Sequence, residues 1–166
     1  MVEKIISGGQ TGADRAGLDF AIAHGIPHGG WCPLGRLAED GLIPRRYHLR
    51  ETPAPDYAQR TEWNVRDSDG TVIFSLGKDL SGGSRFTAEV AAQLGKPCLH
   101  VSKASAGRNS AKNLRHFIRR HRIKCLNIAG PRVSIQPQVG RFVAETLSAC
   151  LDLFQAAKVT RRHPRR

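Results

Sequence analysis

The chain has 166 residues, enough for one domain that buries about two-thirds of the surface its unfolded form exposes. Its four cysteines, at positions 32, 98, 125 and 150, show neither C-x-x-C nor zinc-finger spacing, and it lacks an N-terminal signal pattern and an apolar run of about 18 residues. These features disfavour a disulfide scaffold, a secreted protein and a membrane protein. Together with a formal net charge of +12, they predict a basic cytoplasmic protein with reduced thiols.

The first predicted elements are a strand, about Glu3 to Ser7, and a helix, about Ala13 to His24, joined by a glycine-rich turn. Backbone N–H groups at such a turn and at a helix N-terminus have no internal partners, so they present donors to an anion. The layout predicts a phosphate-binding turn, with a tight turn without ligand as the alternative. The candidate residues are Gly8, Gly9, Gln10, Thr11, Gly12, Asp14 and Arg15.

Two better-known phosphate loops fit this turn poorly. No Gly-Lys-Ser/Thr triplet follows Gly12, which argues against a Walker-type ATPase. Of the dinucleotide fingerprint, only the last two glycines match, and Gly30 to Pro33 stand where an acidic ribose ligand is expected. The pattern therefore favours a Rossmann-like anion site without the ribose clamp of NAD enzymes.

The first helix should set Leu18, Ala21 and Ile22 inward, and a short second strand is expected around His28 to Trp31. The segment from Pro33 to Pro55 is irregular and rich in proline, and loops of this length are functional or mobile. Arg36 on this loop could close over a ligand or be solvated.

A second helix, about Asp56 to Asp67, places Asn64 on its inward face, where a buried amide must bond either a ligand or a loop backbone. The buried strand Thr71 to Phe74 then leads to a second glycine turn and another helix. Two such turns at the ends of parallel strands would share a ligand crevice if the strands are neighbours. The candidates in the second turn are Ser81, Gly82, Gly83 and Ser84.

Strands at Pro97 to Val101 and Lys124 to Ala129, a basic helix between them and a last helix near Gln138 to Phe154 complete the alternation. The pattern predicts an α/β, Rossmann-like three-layer α/β/α fold with a mostly parallel sheet of about five strands. Cys98 and Cys125 should be core residues. Residues 1–157 should form one ligand-binding domain, and 158–166 a basic, disordered tail.

The excess positive charge is confined to two segments. Lys103 to Lys124 carries eight basic residues and no acidic one, and Gln155 to Arg166 carries five more. The remaining 13 basic residues balance 14 acidic ones. A solvated helix face is the favoured interpretation, with non-specific nucleic-acid contact as a possible side effect.

The seven histidines are scattered, so no metal site on protein side chains is predicted. No G-x-S-x-G elbow occurs either, so the sequence indicates no nucleophile.

Several segments resemble the molybdenum cofactor carrier family. This family belongs to the circularly permuted YpsA-like proteins of the SLOG superfamily, which are related to the LOG, or lysine decarboxylase-like, hydrolases. The resemblance spans about residues 3–154. The matching segments are Ser7 to Ala16, Gly29 to Pro33 with Ala38 to Gly41, Arg60 to Thr71, and Leu80 to Gly83.

The resemblance implies a carrier that binds molybdopterin, an anionic pterin with a terminal phosphate that holds molybdenum. The first turn would bind the phosphate, the second turn would meet the metal end or ring substituents, and Trp31 would stack on the pterin unless it is a core aromatic. A homo-oligomer and a molybdoenzyme recipient are expected by analogy.

Two alternatives come from the same superfamily. A LOG-like nucleoside monophosphate phosphoribohydrolase would use Glu89 as its acid, although Ser81, Arg85 and Phe86 depart from the motif P-G-G-x-G-T-x-x-E. A nucleotide-sensing module has the same residue requirements as a carrier.

Overall fold

The computed structural model describes residues 1–162, with side chains described through residue 156. In chain order the elements are β1 (Lys4–Ile6), α1 (Ala13–Ala23), β2 (His28–Gly29), β3 (Trp31–Cys32), β4 (Leu37–Ala38), β5 (Gly41–Leu42), β6 (Arg50–Glu51), α2 (Tyr57–Arg66), β7 (Gly70–Ser75), α3 (Gly82–Gln93), β8 (Cys98–Ser102), α4 (Lys103–Ala106), α5 (Ser110–Arg120), β9 (Cys125–Ala129) and α6 (Val139–Arg162).

Five parallel strands form the main sheet in the order β2-β1-β9-β7-β8. All six residues of β7 are buried, as expected for a strand covered on both faces. Helices α1, α5 and α6 pack together on one face, and α2 and α3 pack together on the other. The predicted Rossmann-like α/β/α fold is confirmed.

The strand order is a shifted Rossmann order. If β9 is counted as the first strand, followed by β1, β2, β7 and β8, the sheet order becomes 3-2-1-4-5. The two strands that end in glycine turns, β1 and β7, are therefore not neighbours, because β9 lies between them. The reversal of strand order falls between β9 and β7, which is where open α/β sheets bind ligands.

The main core lies between the sheet and helices α1, α5 and α6. The apolar stripe of α5 is buried and consists of Ala111, Leu114, Phe117 and Ile118. Two predicted core positions are wrong. Ile22 is exposed, because the buried face of α1 is centred on Gly17 and Ala21. Cys98 is also exposed, because it begins the edge strand β8.

The irregular segment from Pro33 to Pro55 folds as an insertion with its own small core. Its β4 pairs with β5, and its β6 pairs with β3, which directly precedes the insertion. Leu18 of α1 and Cys32 of β3 pack on this insertion, which contributes the other members of the cluster, Ile43, Tyr47 and Leu49.

Arg36 holds the insertion together rather than facing a ligand. Its guanidinium donates to the carbonyl oxygens of Leu49 at 2.9 Å, Tyr47 at 3.1 Å, Pro44 at 3.2 Å and Ile43 at 3.3 Å. The sequence left open whether Arg36 closes over a ligand or is solvated, and in the structure its guanidinium donates to these four carbonyls of the insertion.

Helix α6 continues through Arg162, past the predicted domain end at residue 157, and the rest of the predicted disordered tail, 163–166, lies outside the described residues. Among the described residues, none of the helices is long and apolar enough to cross a membrane.

We expect Arg36→Lys to lower the free energy of unfolding by about 2 kcal/mol, because a lysine ammonium cannot reach four carbonyls that a guanidinium satisfies together. Urea unfolding measures the change. Arg45→Lys, on the exposed surface of the same insertion, is the control and should change stability by less than about 0.5 kcal/mol. Equal effects of the two changes would refute the role of Arg36.

Candidate functional site

A crevice of about 320 Å³ opens at the carboxyl ends of β7 and β9, within the range of small-molecule sites. Its walls come from the turn after β1, the start of α2, the loop before α3 and the loop after β9. The lining residues are Gln10, Asp14, Tyr57, Ala58, Arg60, Thr61, Ser75, Asp79, Leu80, Ser81, Gly82, Gly83, Ser84, Phe86, Thr87, Ala129, Gly130, Pro131, Arg132, Ile135 and Gln136.

Three N–H groups of the turn after β1 donate to protein groups. The N–H of Gln10 donates to Asp14 Oδ2 at 3.3 Å, that of Thr11 to Gln10 Oε1 at 3.0 Å, and that of Ala13 to the Pro131 carbonyl at 3.3 Å. The Asp14 carboxylate thus acts as an anion on the backbone of this turn. An external phosphate would have to displace these bonds.

The glycines of this turn are needed for packing between loops. A Cβ on Gly8 would collide with the Arg60 guanidinium, and one on Gly9 would collide with Leu49 of the insertion. A Cβ on Gly12 would lie 2.5 Å from the Pro131 carbonyl oxygen, and Gly9 and Gly12 also have φ values of 77° and 80°. Neighbouring chain segments, rather than a ligand, approach the backbone here.

Asp14 and Arg60 form a buried ion pair in the wall of the crevice. Asp14 Oδ2 lies 2.9 Å from Arg60 Nη1, and the side chains are 4% and 16% exposed. Burial raises the pKa of Asp14, and the positive charge of Arg60 opposes that rise. Within the described part of the chain, the buried Nε of Arg60 has no hydrogen-bond partner.

The N-terminus of α3 is open, in contrast to that of α1. Ser81 takes the N-cap position in an extended conformation, but its side chain does not cap the helix. Gly82 has φ +50°, and a Cβ at Gly82 or Gly83 would meet no described atom within 4 Å. The first residues of this 12-residue helix, at the positive end of its dipole, therefore line the crevice without a side-chain cap on their N–H groups.

The mouth of the crevice is apolar. Tyr57 at the start of α2, Phe86 on α3 and Ile135 after β9 are 43%, 37% and 62% exposed. The polar part of the lining includes Arg60, whose side chain is 16% exposed, and the start of α3, where Ser84 is buried. The crevice therefore suits a ligand with an anionic group at one end and a flat apolar body at the other.

The structure brings some predicted site residues to the crevice and places others elsewhere. Gln10, Asp14 and the four residues of the second turn line it, whereas Gly8, Gly9, Thr11 and Gly12 lie in the buried turn beside it. Arg15 points to the insertion, where it donates to Asp40 and to the Gly9 carbonyl.

Trp31 and Asn64 lie away from the crevice lining. The indole N–H of Trp31 donates to Asp67 at 2.7 Å, and the Arg50 guanidinium lies 4.1 Å from the centre of the Trp31 indole ring. The Asn64 amide accepts from the Trp31 N–H at 2.9 Å and donates to the Trp31 carbonyl at 2.8 Å. The sequence predicts that Asn64 bonds either a ligand or a loop backbone. In the structure its amide bonds the backbone of Trp31, at the start of β3.

Sequence reasoning missed several lining residues. Tyr57 and Arg60 are three residues apart on a helix, so they share one face. The pairing of an aromatic and a cationic side chain on that face is the signal in the sequence that could have identified them. Arg132 and Gln136 follow β9, and without the strand order no spacing in the sequence connects them to α3.

Ser75 and His100 form a close pair at the crevice, with Ser75 Oγ 2.6 Å from His100 Nε2. The Ser75 hydroxyl donates to the Gly77 carbonyl at 2.8 Å, so His100 supplies the hydrogen in the other bond. Burial lowers the pKa of His100. The pair therefore fixes the loop after β7. It is not arranged as a nucleophile with its base, because the Ser75 hydroxyl hydrogen points to the Gly77 carbonyl and not to His100.

Glu89, the acid of the hydrolase alternative, is exposed and pairs with Arg85 at 3.1 Å outside the crevice lining. Residues 1–162 contain no group of three or more His, Cys, Asp and Glu side chains that could hold a metal ion.

Comparisons with known proteins give two matches. Residues 5–151 match the protein family described as the circularly permutated YpsA SLOG family. The crystal structure of a protein from Syntrophus aciditrophicus SB, named putative molybdenum carrier protein, is 50% identical in sequence, with a TM-score of 0.88 over 90% of this chain and 95% of that one. None of the curated proteins compared with the chain matches it. The family description names a circular permutation, and the strand order of this sheet is a shifted Rossmann order.

We expect Arg60→Met to lower the free energy of unfolding by about 3 kcal/mol, because it leaves the Asp14 carboxylate buried and unpaired. The double variant Asp14→Asn with Arg60→Met should lose less than the sum of the single changes, as measured by urea unfolding in a double-mutant cycle. Arg85→Met removes an exposed pair and is the control, with an effect below about 1 kcal/mol. If Arg60→Met lowered the free energy of unfolding no more than Arg85→Met does, the Asp14–Arg60 pair would contribute little to stability.

Proposed function

This chain belongs to the circularly permutated YpsA SLOG family, and from that membership and the crevice we propose that it is a non-enzymatic binding protein that carries the molybdenum cofactor. The ligand is an anionic pterin with a phosphate group. The protein would work in the cytoplasm as a homo-oligomer and deliver its ligand to a molybdoenzyme.

The observation that carries the proposal is the open N-terminus of α3 beside Arg60. A phosphate on the N–H groups of Gly82, Gly83 and Ser84 gains donors and the positive end of the helix dipole. Arg60 lines the same crevice and has a buried, unpartnered Nε among the described residues. We therefore assign the phosphate to the second glycine turn, because in the first turn the Asp14 carboxylate already accepts from the Gln10 N–H.

The apolar mouth supports a flat ring as the other part of the ligand. Tyr57 and Phe86 are large, partly exposed aromatics on the two helices that flank the crevice. Stacking on such side chains favours an aromatic heterocycle, and we assign this role to them in place of Trp31.

The similar structure from Syntrophus aciditrophicus bears the name of a molybdenum carrier and supports the choice of ligand. Since the described side chains form no metal-holding cluster, the molybdenum would be part of the cargo, bound through the pterin. The hydrolase alternative gains no support, because Glu89 lies outside the crevice lining.

We expect molybdopterin to raise the melting temperature of the wild-type protein, by an amount corresponding to about 2.7 kcal/mol at 100 times its dissociation constant. Gly83→Glu should abolish that rise, because its carboxylate would occupy the α3 N-terminus without a clash. Thermal-shift titration with molybdopterin, molybdate and nucleoside monophosphates measures the effect, and native mass spectrometry with metal analysis checks for bound pterin.

The matched control is Gly77→Glu, which adds the same charge in open space on the preceding loop and should bind like the wild type. If Gly83→Glu binds as well as Gly77→Glu, the phosphate is not at α3. Stabilisation by a nucleoside monophosphate, followed by release of the free base, would establish the hydrolase instead.

We expect Tyr57→Ala to weaken molybdopterin binding about three- to tenfold, the loss of one aromatic contact, and to leave the affinity for inorganic phosphate unchanged. Isothermal titration with both ligands measures the two affinities. Tyr57→Phe keeps the ring and is the control. Equal weakening for both ligands would show that Tyr57 does not contact the ring.

A further inference from the structure

A surface lined entirely by basic residues lies on α5, outside the crevice. We define the basic face as Lys112, Arg115, His116, Arg119 and Arg120, which together line a shallow groove. The residues lie along one side of an 11-residue helix about 16 Å long, opposite its buried apolar stripe. None of them lines the candidate ligand site.

The charge of this face is not neutralised within the described part of the protein. Its lysine and three arginines form no ion pair with any described carboxylate. The Nε of Arg115 is buried and has no hydrogen-bond partner there. Because the segment from Lys103 to Lys124 contains no acidic residue, the like charges repel one another along the helix. A polyanion would remove this repulsion.

The type of partner follows from the side chains. Three of the five residues are arginines, and with Lys112 they make four permanent cations. A guanidinium group can donate two parallel hydrogen bonds to the oxygens of one phosphate. Exposed large apolar side chains are absent from Lys103 to Lys124 in the structure, so this surface offers no group to insert into a lipid layer. A row of cations along a helix suits a polymer that carries anions at regular intervals. A nucleic acid is such a polymer, because each strand of a duplex carries one phosphate per about 3.4 Å of the helix axis.

We propose that the basic face binds the phosphate backbone of a nucleic acid without reading its sequence. The face contains no Phe, Tyr or Trp side chain, and its one aromatic ring is the small imidazole of His116, so the contact should be mainly with phosphates. The proposal is independent of the ligand in the crevice.

The test is fluorescence anisotropy of the full-length protein with a labelled DNA duplex of about 20 base pairs and an RNA strand of about 20 nucleotides. Four permanent cations predict a slope of log K against log salt near −3.6 for the duplex, from about −0.9 per neutralised phosphate. The double variant Arg119→Glu with Arg120→Glu should weaken binding at least tenfold and reduce the magnitude of the slope by about 2.

The matched control is Arg45→Glu with Lys78→Glu, which changes the net charge by the same amount at exposed positions away from α5. It should bind nearly as the wild type does. Circular dichroism confirms that both variants are folded, which is expected because the four replaced side chains are exposed.

Three outcomes would overturn the proposal. The first is no binding at about 50 mM salt, and the second is equal weakening in the control, which would mean that the overall charge attracts the polymer. The third is binding of poly-glutamate or of phosphatidylserine vesicles as tight as that of the nucleic acids, which would assign the face to an acidic protein or a membrane.

Discussion

The buried carboxylate of Asp14 determines the arrangement of the loops around the crevice. A buried charge is costly unless it is bonded, and Oδ2 of Asp14 accepts from the Gln10 N–H within its own turn and from Arg60 of α2. These bonds fix α2 against the end of β1. They also place a protein anion in the turn before α1, whereas the start of α3 has no side-chain cap and no acidic residue in its first turn.

The permuted strand order has a similar consequence for the loop after β9. In an ordinary Rossmann protein the first strand leads directly into a phosphate-binding turn and a helix. Here β9 takes the place of that strand, but Pro131 has no N–H to offer, and its carbonyl accepts from Ala13. Helix α6 begins only at Val139, well beyond the end of β9. The usual phosphate position is therefore closed, which again directs an anion to α3.

The sequence predicts the sheet and most of its helices because their patterns are local. The continuous apolar run of β7 and the apolar stripe of α5 need no information from distant residues. The strand order depends on pairings between residues far apart in the chain, so it could not be predicted. The same limit applies to the glycine turn after β1. A backbone approached by Leu49 and Pro131 needs the same glycines as one approached by a phosphate, and only the fold distinguishes the two.

The charges of the crevice restrict the kind of anion that it can hold. Asp14 and Arg60 neutralise each other, Arg132 lies 3.9 Å from Glu39, and Asp79 adds a negative charge to the lining. The remaining attraction comes from the dipole of α3 and the donors of its first turn, which suit one phosphate group. A polyphosphate chain would need several more cations. The apolar mouth at Tyr57 and Phe86 then requires that the rest of the ligand be flat and largely uncharged, so the crevice selects a ring with a single terminal phosphate over a nucleoside triphosphate.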